Sequence, residues 1–137
     1  MIGLSVLQIS AQSNLSWEVL ADVTFEEEKL DDLGTYWLAP TFGEVIELFE
    51  NQEVSIEGYL ILIDLEDNFN VLSKYPYSSC FFCGGAGPES VVELHFKEEI
   101  KGVKLDQRVR IQGILELNKS DIEHLNYIVK NAQIIDQ

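Results

Sequence analysis

The sequence predicts a mainly β fold in which five short strands close a barrel, with an N-terminal arm and one amphipathic helix outside it. Three observations lead to this prediction. Five segments alternate apolar and polar residues with a period of two, which is typical of strands with one buried face. Two of these segments share one apolar pattern around a central glycine. The chain of 137 residues has the length of a single domain.

The predicted strands are residues 54–63, 69–73, 91–96, 108–117 and 127–135. The first and fourth share the motif Val-x-Ile-x-Gly-x-Leu, which places Gly58 and Gly113 at matching positions. Glycine inside a strand commonly marks a bulge or a sharp bend. A small barrel needs such bends where a long strand serves two parts of the sheet. Five strands with this motif and its repeat therefore resemble the OB-fold, particularly its small bacterial envelope variants.

The segments before the barrel are expected to form an arm and a helix. Residues 14–39 fit neither period cleanly, which indicates a short helical turn near Trp17 and then an extended arm held by its aromatic side chains. Thr41–Glu44 has the sequence of a capping box. Apolar residues then recur at helical spacing, which predicts an amphipathic helix of about ten residues. A second capping box, Ser120–Glu123, predicts one helical turn before the last strand.

The charge of the chain is strongly and unevenly negative. There are 24 acidic and 9 basic residues, a net charge of -15, and residues 1–67 carry 15 of the acids with one base. Such a surface repels phosphate groups, so nucleic acid and anionic lipid are unlikely partners. A basic partner or cations are compatible with it, although a solvated acidic surface is the simpler interpretation. No apolar run is long enough to predict a transmembrane segment.

Residues 1–13 are apolar at first and then small and polar. They resemble the end of a secretory signal peptide without its charged front, and Ile9-Ser10-Ala11 resembles a cleavage site. The alternative is a short N-terminal strand. The signal-peptide interpretation predicts a single domain over residues 14–137 and a periplasmic or exported location, where cysteines can pair.

A loop between the second and third strands holds both cysteines of the chain, Cys80 and Cys83. Pro76 and Pro88 make it a poor helix or central strand. Loops carry function more often than the elements they join, so we expect a functional surface here. Its expected residues, besides the cysteines, are Tyr75, Tyr77, Phe81, Phe82, Gly84, Gly85, Gly87, Pro88 and Glu89.

Several interpretations of the cysteine pair remain open. A disulfide would rigidify the turn by restricting the unfolded chain. Alternatively, two thiolates supply half of a tetrahedral zinc site and also suit copper(I). His95 would then be a third ligand, with His124 or Glu89 as candidates for the fourth. A redox dithiol is less favoured because no helix pattern follows Cys83, and two free buried thiols are the remaining option.

The aromatic residues of the loop allow two roles. Tyr75, Tyr77, Phe81 and Phe82 resemble the stacking platforms of ligand-binding barrels. Lys74 is the only base nearby, which favours packing instead, with Phe81 or Phe82 filling the mouth of the barrel.

Residues 75–91, with the motif Cys-Phe-Phe-Cys-Gly-Gly-Ala-Gly-Pro-Glu-Ser-Val, and the earlier Val54-Ser-Ile-Glu-Gly-Tyr59 resemble a group of small bacterial exported proteins of uncharacterised function. The similarity runs from Trp17 to Ile135. It implies an OB-like fold and an envelope location, and it implies no reaction.

The sequence shows no Ser/His/Asp grouping, phosphate loop or carboxylate pair that indicates catalysis. It predicts a non-enzymatic envelope module that binds an unknown protein or small ligand through the Cys80–Cys83 loop. The alternative is a protein that binds one zinc or copper(I) ion through Cys80, Cys83 and His95. Thiol–disulfide exchange is a third and weaker hypothesis.

Overall fold

The computed structural model describes residues 13–64, 69–79, 81, 84–100, 102, 104 and 106–136. The strands are β1 (Ser13–Asn14), β2 (Val23–Lys29), β3 (Tyr36–Phe42), β4 (Glu53–Asp64), β5 (Phe69–Ser73), β6 (Val91–Phe96), β7 (Arg108–Leu117) and β8 (Tyr127–Asp136). The helices are α1 (Trp17–Leu20) and α2 (Glu44–Glu47), and Tyr77–Ser79 and Pro88–Ser90 form short 3₁₀ turns. The signal-peptide hypothesis concerns residues that lie, except for Ser13, outside the described part.

Strands β4 to β8 form a closed five-stranded barrel, which confirms the predicted fold class. Their order around the barrel is β4-β5-β6-β8-β7, and pairing of β7 with β4 closes it. All of these pairs are antiparallel except the parallel pair β6–β8. Each of the five predicted strands matches an observed strand, and β1 adds a short parallel pairing with the first part of β4.

Within the barrel, strand β4 forms backbone hydrogen bonds with two different strands along its length. Its first part, Glu53–Tyr59, pairs with β7, and its second part, from Tyr59 onward, pairs with β5. Gly58 lies next to this change of partner. A Cβ atom at Gly58 would lie 2.6 Å from the carbonyl oxygen of Ser73 and 3.0 Å from the ring of Trp17. Glycine is therefore required here by the close approach of β5 and α1.

The matching glycine of β7 marks a bulge, as the sequence predicted. The register of β7 against β8 shifts between Gln112 and Ile114, on either side of Gly113. A Cβ atom on Gly113 would lie 2.6 Å from the carbonyl oxygen of Lys130. The bulge lets β7 bend between β4 and β8.

Two apolar clusters lie on opposite faces of the barrel sheet. The main core fills the interior of the barrel. It includes inward-facing strand residues such as Leu60, Leu72 and Val92, together with Leu20 and Ile46 from the two helices. A smaller outer cluster is built from the residues of opposite parity. It consists of Ile61, Val71 and Val91, with Phe69, Phe81 and Leu125 packed against it.

The N-terminal segment contains the predicted helical turn but continues as a hairpin. Ser16 caps α1 by accepting a bond from the Val19 amide at 3.2 Å. The Trp17 indole donates to the Glu57 carbonyl at 2.8 Å, which attaches α1 to β4. The expected extended arm is instead β2 and β3, paired antiparallel from Val23↔Phe42 to Lys29↔Tyr36.

The two predicted capping boxes are wrong. Helix α2 is shorter than expected, and its N-cap is Gly43, since Thr41 belongs to β3. The amides of Val45 and Ile46 donate instead to the Asp22 carboxylate, at 2.9 and 3.0 Å. In the region of Ser120, Asn118 and Asp121 provide the side-chain oxygens that accept backbone amides.

Within the described residues, no helix has both the length and the apolar character needed to cross a membrane.

We expect Gly58→Ala to lower the free energy of unfolding by about 1–3 kcal/mol, because the added methyl group would overpack the contact with Ser73. Urea unfolding measures the change. Lys119→Ala, at an exposed turn position, is the control and should stay within about 0.5 kcal/mol. Equal stability of Gly58→Ala and the wild type would show that this close approach does not constrain β4.

Candidate metal site

Both histidines of the chain meet at one carboxylate. The chain has 2 histidines, and they are 29 positions apart at His95 and His124. Nε2 of His95 lies 2.5 Å from Oε2 of Glu93, and Nδ1 of His124 lies 2.7 Å from the same oxygen. The two rings stand edge to face with their centroids 5.9 Å apart. We call Glu93, His95 and His124 the His–Glu cluster.

Strand β6 places two members of the cluster on the outside of the barrel. Val92 and Leu94 point into the main core, so Glu93 and His95 share the opposite face. The register of β6 against β8 shifts between Leu94 and Phe96. His95 thus lies opposite a bulge in β8, and bulges of this kind re-aim neighbouring side chains.

The third member comes from the connection between β7 and β8, which Asn118 organises. The Asn118 amide group donates to the carbonyl oxygens of Asp121, His124 and Leu125, at 2.7, 3.2 and 3.1 Å. Its side-chain oxygen accepts from the amides of Ser120 and Asp121. The Asn118 side chain therefore holds the backbone of this turn in place, including the carbonyl group of His124.

The carboxylate of the cluster is buried while the imidazoles are accessible. Glu93 is 1% exposed, and the side chains of His95 and His124 are 42% and 40% exposed. Oε1 of Glu93 accepts from the Leu125 amide at 3.0 Å. A buried carboxylate is costly unless it is paired and hydrogen-bonded, and here three donors surround it. Leu125 also packs on the outer apolar cluster, which shields the carboxylate from water.

The Glu93 carboxylate raises the pKa of the His124 ring. The hydrogen bond that the His124 ring donates to the Glu93 carboxylate is the main cause that raises the pKa of His124 above its ordinary value. Partial burial opposes this shift, and the negative charges of Glu93, Asp121 and Glu123 add to it. The imidazolium form of His124 is therefore favoured when no other cation is bound at the site.

The donor set suits a borderline transition metal. One ligand atom from each residue can be chosen so that all three lie within 4.8 Å of one another. Two imidazole nitrogens and a carboxylate oxygen are common zinc ligands, and imidazole also suits copper(II). Neighbouring ligands around zinc are about 3.3 Å apart when the bonds are 2.0–2.1 Å. Each of the two ring nitrogens would need to move away from Oε2 of Glu93 by less than about 1 Å, with the ring protons released.

The structure places the residues predicted from sequence in several different environments. His95 is exposed on its strand, and His124 lies beside it as one of the candidate fourth ligands. Glu89 is not part of the cluster, because its carboxylate folds back against Gly87. Cys80 and Cys83 lie outside the described residues, so their roles as disulfide, metal ligands or free thiols stay predictions.

The rest of the predicted loop surface is only partly exposed. Phe81 packs against the outer apolar cluster, so it does not fill the barrel mouth, and Phe82 lies outside the described residues. The exposed members are Tyr75, Tyr77, Gly84 and Gly85, and the half-buried ones are Gly87, Pro88 and Glu89. The Tyr77 amide donates to Asp106 at 3.0 Å, and the Lys74 ammonium lies 5.3 Å from the centre of the Tyr75 ring.

Glu93 is the site residue that the sequence analysis missed. The signal was present in Glu93-Leu94-His95, because residues two apart on a strand point to the same face. Its partners were not visible in the sequence, since His124 and the Leu125 amide come from a segment more than 30 residues away.

We expect NMR titration to give His124 a pKa above the ordinary histidine value of about 6.5, and Glu93→Gln to lower it. Because the folded-state pKa is raised, the bond stabilises the fold fully below the unfolded pKa, and this stabilisation is lost as the pH rises through the folded pKa. Glu47→Gln on α2 is the control and should leave the titration of His124 unchanged. An unaltered pKa in Glu93→Gln would contradict the assigned cause.

Comparison with known proteins identifies a similar fold but does not identify a family. No protein-family model matches the sequence, and no curated protein matches it. A solved structure with a similar fold is the crystal structure of a DUF3299 family protein from Pseudomonas aeruginosa PAO1. The TM-score is 0.56 at 13% identity, over 93% of this chain and 98% of that chain. At this identity the chain is similar to that protein in fold alone.

Proposed function

We propose that this chain is a non-enzymatic metal-binding module, and that the His–Glu cluster binds one divalent transition-metal ion on the outside of the barrel. The observation that carries the proposal is the convergence of both histidines, from separate elements, on one buried carboxylate. A single hydrogen bond from one ring would already pair the carboxylate. The second accessible ring at the same oxygen supplies a second imidazole nitrogen, which together with Glu93 gives three potential ligands for one ion.

The charges around the cluster favour a cation. Glu93 contributes a buried negative charge, and Asp121 Oδ2 lies 3.9 Å from Nε2 of His124. The net charge of -15 raises the local concentration of cations. Two protonated rings at this carboxylate would repel each other, whereas one metal ion replaces both protons and keeps the rings together.

The ligand types favour zinc over copper(I). Copper(I) is selected by thiolates and thioethers, whereas imidazole and carboxylate suit zinc and copper(II). Two histidines and one glutamate are also a known zinc ligand set, which leaves a fourth position for water or another ligand. We therefore assign zinc as the first ion to test.

Calorimetric titration of metal-free protein with zinc at pH 7.5 should give one ion per chain. We expect His95→Ala and His124→Ala each to weaken binding at least about tenfold, since each removes a ligand. Affinity should rise between pH 6 and 8, because zinc competes with protons for the rings. The matched control, Glu123→Gln, removes an exposed acid of the same turn and should change binding less than about threefold.

The cysteine-based alternative makes a different prediction with the same protein. If Cys80 and Cys83 bind the metal, the double variant Cys80→Ser/Cys83→Ser loses zinc, and cobalt(II) in the wild type shows a thiolate charge-transfer band. The His–Glu cluster predicts retained binding in that variant and no such band. Zinc binding that survives both histidine substitutions would overturn the proposal.

A further inference from the structure

The β2–β3 hairpin is a second surface with no role in the metal proposal. It forms a two-stranded sheet of its own. Its base is fixed because Phe42 is buried and Val23 packs against the main core. Beyond Phe25 and Pro40, the hairpin residues are exposed or half-buried. Most of its length therefore projects beyond the packed core.

The projecting part exposes large apolar side chains. Leu33 at the turn is 92% exposed, and Tyr36 is 58% exposed. Leu38 is also exposed and shares a face with Tyr36. A two-stranded hairpin is marginally stable in water by itself, and an exposed apolar group on such an element commonly marks a binding site.

The hairpin also offers an open strand edge. Within the part of the chain that the structure describes, no third strand pairs with β2 or β3. An open edge presents backbone groups that can pair with another chain. Pro40 removes one donor from β3, whereas β2 contains no proline. The edge of β2 is therefore the better one for an added strand.

Charge determines which partner fits this edge. Strand β2 carries Glu26, Glu27 and Glu28 in succession, and Asp31 and Asp32 follow in the turn. Lys29 is the one base among residues 23–42, and its ammonium group lies 3.9 Å from Asp32. A second copy of the chain would bring the same charges together, and nucleic acid or anionic lipid would also be repelled.

We infer that the hairpin binds an extended segment of a partner protein that is rich in lysine or arginine. The segment adds a strand to the edge of β2, which is a common mode of peptide recognition. Its basic side chains lie on the face of Glu26 and Glu28, and its apolar side chains lie on the opposite face, where they extend the patch of Tyr36 and Leu38. This inference does not depend on the metal site.

NMR titration of the full chain with a synthetic peptide of alternating lysine and valine tests the inference. Amide shifts should concentrate in residues 23–42, and the β2 amides should gain protection from hydrogen exchange. We expect Glu26→Gln/Glu27→Gln/Glu28→Gln to weaken binding about tenfold, from two lost ion pairs and the lower negative charge of this edge. Leu38→Ser should also weaken peptide binding, because a serine side chain makes less apolar contact with the peptide than leucine does.

The matched control removes the same number of negative charges, three, from a different part of the surface. Glu44→Gln/Glu47→Gln/Glu50→Gln on and after α2 should weaken binding less than about twofold. Equal losses in the two triple variants, or shifts spread over the whole acidic surface, would overturn the inference. Self-association in sedimentation without peptide, or binding to phosphatidylserine vesicles, would also overturn it, because the occupant would then be a second copy or a membrane. Circular dichroism checks that each variant is folded.

Discussion

The bonding of β4 to two partners is the constraint on which the rest of the structure depends. Its first part closes the barrel against β7 and its second part begins the sheet with β5. The change of partner occurs beside Gly58, where a side chain would strike the backbone of Ser73. Closure gives each of the five barrel strands a paired neighbour on both sides. It also gives every strand an inner face and an outer face.

The outer face of the barrel is where the candidate site arises. Alternation along β6 sends Val92 and Leu94 inward, so Glu93 and His95 must point outward. The turn built around Asn118 then covers Glu93 and brings His124 to it. A carboxylate that is desolvated by packing and faced by two accessible rings attracts a cation more strongly than a solvated one. The site therefore follows from the strand parity together with one folded connection.

Much of the fold could be predicted from sequence, because strands with one buried face carry a period of two. The repeated Val-x-Ile-x-Gly-x-Leu motif also marked Gly58 and Gly113, and the register of β7 shifts around Gly113. The β2–β3 hairpin could not be predicted, because its exposed half lacks that period. The capping of α2 depends on Asp22, from outside the helix segment. The hydrogen bonds of Glu93 to His124 and Leu125 likewise come from a distant turn, so the predicted ligands included His95 and His124 but not Glu93.

In the proposed site, two imidazoles and the Glu93 carboxylate hold a metal ion. X-ray absorption spectroscopy of the zinc-loaded protein tests this coordination most directly, because nitrogen or oxygen ligands lie at about 2.0–2.1 Å and sulfur at about 2.3 Å. We expect nitrogen and oxygen neighbours with the multiple scattering of two imidazole rings. Sulfur neighbours, or a spectrum without imidazole scattering, would contradict it.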